Sequence, residues 1–374
     1  MKKVLLTATV QSHICQFHKP LVDMLRTTGE FEIHVAARDN LSEKNGLKLD
    51  FVDRVYDIPF RRSPFDFKNA TAYKQLKKII EENEYDYIHC NTPVGGVVTR
   101  LAARKARKYG TNVFYTAHGF HFYKGASKKN WIFYYPIERL LARYTDKLIA
   151  INEEDYLLAK NQFSCQVARI HGVGVDANRY HPVDVPEKEY LRNKLGFSAN
   201  DRLILCVGEL LPNKNQKMAI EAMKSVVATF PNAILLLAGN GSYRSELEKI
   251  VQLNQLEHNV RFLGYCTNLE EYQRICEVAI SCSIREGLGV NLIEAMLSQN
   301  PVIATRNRGH NELVVEGENG YLVDVGDVDG LTKQMITLLA DFELNAHLGM
   351  RGYEIGKMYD VSVIIEELKE IYFG

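Results

Sequence analysis

Along the chain, short apolar runs alternate with stretches whose apolar residues recur at helical spacing. VLLTATV, FEIHVAA, YDYIHC and NVFYTA read as strands, with helical patterns at PLVDMLRTT and near residues 95–109 between them. The rhythm restarts after residue 200. RLILCVG, AILLLAG, VRFLG, VAISCS, PVIAT and GYLV are strand-like, and helical patterns fall near 215–229, 242–254, 268–276 and just after VAISCS. Strands that alternate with helices imply parallel sheet, because parallel neighbours need a long crossover connection. The pattern breaks in HGVGVDANRYHPVDVPEKEY, residues 171–190, where glycines, prolines and polar residues collect. The expected architecture is therefore α/β, with two doubly wound, Rossmann-like domains over 1–175 and 176–359. A chain of 374 residues exceeds what one hydrophobic core usually organises, which agrees with two domains and a cleft.

Composition narrows the class without identifying it. With 46% hydrophobic and 25% charged residues and no repeat or low-complexity tract, the chain reads as an ordinary globular protein. The N-terminal MKKVLLTATVQSHICQF is basic then apolar, but it passes into His13, Gln16 and His18 without a small-residue cleavage site, so it reads as a buried first strand. No apolar window approaches the ~18 uninterrupted residues of a membrane span. The seven cysteines are odd in number, sit mostly in apolar runs and lack metal-ligand spacing, which suits buried thiols of a reducing compartment. Net charge is zero but uneven: residues 1–175 carry 27 Lys and Arg against 18 Asp and Glu, net +9, and residues 176–374 are net −9. A basic first half can attract an anionic surface or substrate, although uneven solvated faces would look the same.

In open α/β sheets ligands bind beyond the carboxyl ends of the strands, so five loops carry the weight: Gln11 to His18, Thr92 to Gly96, His118 to His121, Glu209 to Lys214 and Arg285 to Gly289. The last lies in SIREGLGVNLIEAM, residues 283–296. Gly287 and Gly289 let backbone amides approach a ligand, and a helix starting near Val290 presents unpaired N–H groups suited to a diphosphate. Ile293, Met296 and Leu297 share the core face, which leaves Glu294 off it. Glu286 precedes in the loop. Carboxylates would repel phosphate yet accept hydrogen bonds from hydroxyls, and a sugar nucleotide carries both groups. Capping of the helix start by acidic residues is the competing explanation. His118, directly after a strand, could donate to a sugar hydroxyl or a leaving phosphate oxygen, though a lone histidine is as readily structural. Lys214, ahead of a helix, could pair with phosphate. The turn AGNGS around Gly239 lacks the three-glycine dinucleotide fingerprint and its acidic partner, which argues against a nicotinamide dehydrogenase.

SIREGLGVN, together with RRSPFD, HCNTPVGGVVTRLAARKARKYGT, YTAHGFHFYKGA, NWIFYYPIE and INEEDY, resembles the retaining glycosyltransferases of family 4, in their bacterial exopolysaccharide and capsule biosynthesis branch. The family signature is two glutamates separated by seven residues, matched by Glu286 and Glu294. The resemblance spans essentially the whole chain and implies the GT-B fold, two facing Rossmann-like domains with a central cleft, the final helix (about 360–374) returning to the first. It implies catalytic roles for His118, Glu286 and Lys214. Donor contacts would come from Arg285, Gly287, Leu288, Gly289, Glu294, Glu209, Phe262, Tyr265 and Gly239, for a nucleotide diphosphate sugar that is preferentially a uridine diphosphate N-acetylhexosamine. Many relatives have arginine where Glu209 stands, so the phosphate clamp is one cation short, and Arg285 is the candidate to replace it. QSHICQFH stands where a glycine-rich loop is usual, which moves Gln11, His13 and His18, with Gly95 and Gly96, toward acceptor binding. No metal cage is visible, and no cofactor is implied because the nucleotide sugar is a substrate.

The implied acceptor is a polyprenyl-diphosphate-linked saccharide, met by a cytoplasmic enzyme at the inner face of the cell membrane, with no nucleic-acid partner. Arg100, Arg104, Lys105, Arg107 and Lys108, and Lys124, Lys128 and Lys129 beside Trp131, Phe133, Tyr134 and Tyr135, suit an anionic membrane surface. A solvated helix face is the alternative. Two other functions stay open on the same fold: a nucleotide-sugar 2-epimerase and a non-catalytic nucleotide-sugar-binding module.

Overall fold

The computed structural model describes residues 1–43 and 46–374. Backbone proximity divides them into two units, Met1–Gly174 with Val361–Gly374, and Val175–Asp360. The first unit is built on seven strands: β1 (Lys2–Val10), β2 (Phe31–Arg38), β3 (Arg54–Asp57), β4 (Tyr87–Asn91), β5 (Asn112–Ala117), β6 (Lys147–Ala150) and β7 (Gln166–Arg169). They form one parallel sheet in the order β3-β2-β1-β4-β5-β6-β7. The order reverses between β1 and β4, which opens a crevice at their carboxyl ends. From Val4 to Val10 every residue of β1 is buried, because helices cover both sheet faces; a continuous apolar run is what such a strand requires.

One expected loop is a helix. Gln11–Phe17 turns directly out of β1, with Val10 still extended at φ −140°, and Ser12 is tied to Asn40 through its amide (3.1 Å) and its hydroxyl (2.9 Å). The expectation of a loop rests on its place directly after the first strand; in the structure His13 reaches the strand-end crevice while Gln16 is exposed. The helix Pro93–Arg107 follows β4 and corrects one further expectation, the surface position of Arg100. Gly95 and Gly96 are buried packing positions: a Cβ on Gly96 would lie 2.6 Å from the Tyr115 ring, and one on Gly95 would lie 3.2 Å from the Thr9 amide. They let the helix sit close on β1 and β5. Arg100 does not face a membrane. It is fully buried, pairs with Glu138 at 2.8 Å, donates from Nε to the Gly96 carbonyl at 2.9 Å and lies 4.0 Å over the Tyr115 ring. Such a pair locks Pro93–Arg107 to the helix Lys128–Leu141, and losing one partner would strand the other's charge.

The last helix, Val361–Phe373, packs on the first unit. The His89 ring meets the Tyr372 hydroxyl at 2.7 Å, Lys147 Nζ donates to the Ile371 carbonyl at 2.6 Å, and His171 pairs with Glu367. Gly174, at φ +83°, lets the chain pass within contact of Val361, where a Cβ would come 3.1 Å from the Val361 Cα.

The second unit has six strands, β8 (Arg202–Val207), β9 (Ala233–Ala238), β10 (Val260–Gly264), β11 (Val278–Ser281), β12 (Val302–Thr305) and β13 (Gly320–Val323). They too are all parallel, in the order β10-β9-β8-β11-β12-β13. AILLLA of β9 is buried throughout, and its core partners Met218, Ile220 and Met223 come from the helix Gln216–Thr229. The order reverses between β8 and β11, so the loops after these two strands meet at the unit's switch point. Both units are thus doubly wound, Rossmann-like α/β domains, as the alternating pattern predicts.

Candidate functional site

At the β8/β11 switch point the two loops are sewn together by backbone and asparagine side-chain amides. The Ile284 amide donates to the Asn213 carbonyl at 2.8 Å, Asn213 Nδ2 donates to the Arg285 carbonyl at 3.1 Å, and Asn291 Nδ2 donates to the Val207 carbonyl at 3.2 Å. Lys214 ends a single 3-10 turn, Pro212–Lys214, and Asn215 follows in the left-handed region at φ 52°, which aims the lysine across the switch point. Its Nζ meets Glu286 Oε1 at 2.5 Å. Two residues singled out separately in the sequence are therefore one ion pair, with the Glu286 side chain 14% exposed.

The helix that follows is Val290–Leu297, with Gly289 at its N-cap. No side chain caps it and no acidic residue lies in its first turn. That disposes of capping as the reason for either glutamate: the Val290 amide donates to the Leu288 carbonyl at 3.1 Å and the Leu292 amide to the Gly289 carbonyl at 2.9 Å, with no carboxylate at the helix start among the described residues. Leu288 and Gly289 are buried, while Arg285 is half-buried with no hydrogen bond or ion pair on its guanidinium among the described residues. Glu294 lies one turn further in, beside Tyr180 and Arg179. Burial pushes its carboxyl up to about 7, and Glu270 adds to the rise, while a hydrogen bond from Tyr180 and the charge of Arg179 oppose it.

Other expected donor residues have local roles that are now visible. Gly239, at φ +146°, brings the β9 turn onto the Gly208 carbonyl, where a Cβ would lie only 2.1 Å away. Glu209 is exposed at its side chain, and its carbonyl accepts from Gln216 Nε2 at 3.2 Å. Phe262 lies under the Arg244 guanidinium at 5.4 Å, and Tyr265 is 40% exposed.

Sequence reasoning passed over the loop after β12. Thr305 Oγ1 donates to the Ser283 carbonyl at 2.6 Å and Asn307 Nδ2 to the same carbonyl at 3.0 Å. A Cβ on Gly309 would lie 2.9 Å from the Gly287 carbonyl carbon and from the Leu288 nitrogen, so this glycine lets one loop rest flat on the other. His310 Nδ1 donates to the Thr305 carbonyl at 2.7 Å, and its Nε2, buried against Gly289, has no hydrogen-bond partner among the described residues. The signal was present in RNRGH, a glycine and a histidine directly after the apolar run PVIAT. Arg179 and Tyr180 were likewise hidden in the polar joint.

In the first unit the β1/β4 crevice gathers histidines. His13 Nε2 and His118 Nε2 are 3.2 Å apart, His118 Nε2 is 3.3 Å from Asn91 Oδ1, and His18 packs edge-on to His118 with ring centroids 5.6 Å apart. Burial holds His118 down to about 4 and His89 to about 3; it also lowers His13 and His18, and the rings disfavour one another's charge. These are neutral imidazoles near pH 7, able to donate or accept a hydrogen bond or to ligate an ion. Gln11 is buried, its Nε2 3.5 Å from the Ala37 carbonyl.

Beside His13 lies a cavity of about 650 Å³, lined by Val10, Val94, Val97, Phe65, Phe133 and Ile137, with Arg62 and Lys129 at its wall. Of the aromatic group beside the lysines, Trp131 and Tyr135 pack inward around Phe122, and Tyr134 stacks on His121 at 4.6 Å. Ile132, Phe133, Ile137 and Leu140 are the exposed apolar residues of Lys128–Leu141. Among the described residues no helix is long and apolar enough to cross a membrane.

Residues 187–355 match the family described as Glycosyl transferases group 1, and residues 3–152 match Glycosyl transferase 4-like. "Putative glycosyltransferase EpsD" of Bacillus subtilis (strain 168) is 43% identical over 373 residues, which cover 99% of this chain and 96% of that protein. The UDP-Gal:alpha-D-GlcNAc-diphosphoundecaprenol alpha-1,3-galactosyltransferase of Escherichia coli is 23% identical over 352 residues, 92% of this chain and 89% of that one. Among solved structures, Anabaena Alr3699/HepE in complex with UDP-glucose aligns at a TM-score of 0.81 over 99% of each chain, with 23% identity, a likeness of fold.

Proposed function

The chain belongs to the group 1 glycosyltransferases of GT-B fold, and from that premise we propose that it transfers an N-acetylhexosamine from its uridine diphosphate, with retention, to a polyprenyl-diphosphate-linked saccharide during exopolysaccharide or capsule assembly. The observation that carries this reading is the Lys214–Glu286 pair at 2.5 Å, set at a switch point beside the uncapped helix start at Val290. Each member has one half of the donor to meet. Lys214 and the amides from Gly287 onward hold the diphosphate, Glu286 accepts from hydroxyls of the transferring sugar, and Glu294 accepts from the ribose hydroxyls. The two charges satisfy each other in the structure. An entering diphosphate gives the lysine an anionic partner and releases the carboxylate for the sugar.

Transfer then needs charge stabilisation more than a protein nucleophile. As the sugar–phosphate bond breaks, negative charge grows on the departing diphosphate, where Lys214, the helix amides and Arg285 oppose it; the departing oxygen takes the acceptor hydroxyl's proton. His118, kept neutral by burial, hydrogen-bonds a hydroxyl of the reacting sugars. The nucleotide sugar is consumed as a substrate, so no cofactor enters the scheme.

The first unit is assigned the acceptor. Its cavity of about 650 Å³ is walled mainly by apolar side chains with Arg62 and Lys129 beside them, a combination that suits an isoprenoid next to a diphosphate. The exposed Ile132, Phe133, Ile137 and Leu140, interspersed with Lys128, Lys129, Arg139 and Arg143, support attachment to an anionic membrane surface. Incubation with uridine diphosphate sugars, with and without a polyprenyl-diphosphate saccharide, tests the reading. Nucleotide release that depends on the acceptor is expected; a new sugar nucleotide would mean epimerisation, and binding without turnover a non-catalytic module.

A further inference from the structure

From the geometry of the first unit we infer that His13, His18 and His118 form a binding site for a late first-row divalent metal ion, with Zn²⁺ as the probe. One ring nitrogen from each of the three lies within 4.8 Å of the others. In a tetrahedral zinc site with Zn–N bonds of about 2.0–2.1 Å, ligand nitrogens stand roughly 3.3 Å apart. His13 Nε2 and His118 Nε2 already stand at 3.2 Å, brought together across 105 positions of sequence. Small ring rotations of His18 would complete the triangle.

Three further observations favour an ion over a plain hydrogen-bonded cluster. His18 Nε2 is buried and has no hydrogen-bond partner among the described residues, so it keeps an unmet polar atom at the site. A cavity of about 20 Å³ borders His18, His89 and His118, room for a single water or ion. His89 is otherwise engaged, bonded by Tyr372 on one nitrogen and Thr116 on the other at 2.7 Å each, so it shapes the cavity and leaves ligation to the other three. Three imidazoles suit zinc, copper or nickel better than magnesium or calcium, which prefer oxygen. They also leave a fourth position for water or another exchangeable ligand.

The ion has no part in the transfer proposed above. It competes for the His118 nitrogen that transfer uses, so bound zinc inhibits. Metal binding stands on the histidine geometry alone; only the inhibition rests on the proposed role of His118, and the two are measured separately.

The test titrates chelator-stripped, full-length protein with Zn²⁺ by calorimetry and by competition against a chromogenic chelator. One equivalent should bind tightly. Loss of outer-shell partners alone typically costs a metal site about 10–100-fold, so His13→Asn and His18→Asn should each weaken binding by at least about 100-fold. His258→Asn and His347→Asn, exposed positions outside the cluster, should leave it unchanged. Circular dichroism monitors folding. Should the His18 variant fail to fold, Co²⁺ in the wild type decides, since intense ligand-field bands of a tetrahedral ion are expected and weak six-coordinate bands would overturn the site. No retained Zn²⁺, or equal retention by His13→Asn, would also overturn it. With binding established, zinc-insensitive transferase activity would overturn the competition for His118 and leave the metal site standing.

Discussion

Replacing Glu294 with glutamine should make the protein more stable and the enzyme worse. Burial, reinforced by Glu270, lifts this carboxyl to about 7, whereas in the unfolded chain it titrates near about 4.3. Between those values the native state binds the proton that the unfolded state has released. Stability is therefore greatest below the unfolded value, falls as pH rises, and has lost its full share above about 7. A gap of about 2.7 units corresponds to roughly 3–4 kcal/mol. Glutamine has the same shape, still offers an oxygen to the Tyr180 hydroxyl and never ionises, so Glu294→Gln should recover roughly 3–4 kcal/mol at about pH 8 and nothing at about pH 4. For a domain of this size that is a rise in Tm of about 6–16 °C. The same change removes the charged acceptor assigned to the ribose. Hydrogen bonds to charged groups contribute about 1.5–3 kcal/mol, so donor affinity should drop by roughly 10- to 100-fold. Wild-type affinity for a nucleotide sugar, whose diphosphate diester does not titrate in this range, should itself weaken as pH falls through about 7, while the variant stays flat. Differential scanning fluorimetry and calorimetry across that range measure both. A Tm change that is the same at both ends of the range, or pH-independent donor binding in the wild type, would mean that Glu294 does not hold its proton to about 7 or does not meet the donor.

Three other outcomes follow from the same structure. Lys214→Ala should lower kcat/KM by about 10²–10³, the usual loss when one stabiliser of developing charge is removed, and a stopped coupled assay for released nucleotide reads it directly. Gly309→Ala inserts a methyl 2.9 Å from the Gly287 carbonyl carbon, so donor binding should weaken sharply by calorimetry, whereas an unchanged donor affinity would show that the 287–289 loop tolerates displacement. Phe133→Glu with Ile137→Glu should abolish flotation with anionic vesicles while soluble nucleotide-sugar binding persists; vesicle binding equal to wild type would remove these residues from the membrane contact.

What could be read from the sequence follows physical lines. The strands were legible because parallel strands covered on both faces are written as unbroken apolar runs, as in AILLLA and RLILCV. SIREGLGVN stood out because glycines before a helix start have a backbone purpose. Pairing of Lys214 with Glu286 was not legible, since 72 positions separate them and only the switch-point topology joins them. The same holds for Tyr180 beside Glu294 and for the histidines, whose grouping depends on the β1/β4 reversal. Polar residues misled where packing overrode composition. Arg100 sits among surface-looking lysines yet is buried on Tyr115, Gly95 and Gly96 follow a strand end yet seat a helix, and QSHICQF, which holds neither glycine nor proline, is free to be helical.

The central claim is that Glu286 and Lys214 are one device for holding a sugar nucleotide and transferring its sugar. The most direct measurement compares wild type and Glu286→Ala, both folded by circular dichroism, for acceptor-dependent release of nucleotide from a uridine diphosphate N-acetylhexosamine. Wild-type protein should release nucleotide only when the polyprenyl-diphosphate saccharide is present, and the variant should lose transfer with its fold retained. Near-normal turnover by Glu286→Ala would contradict it.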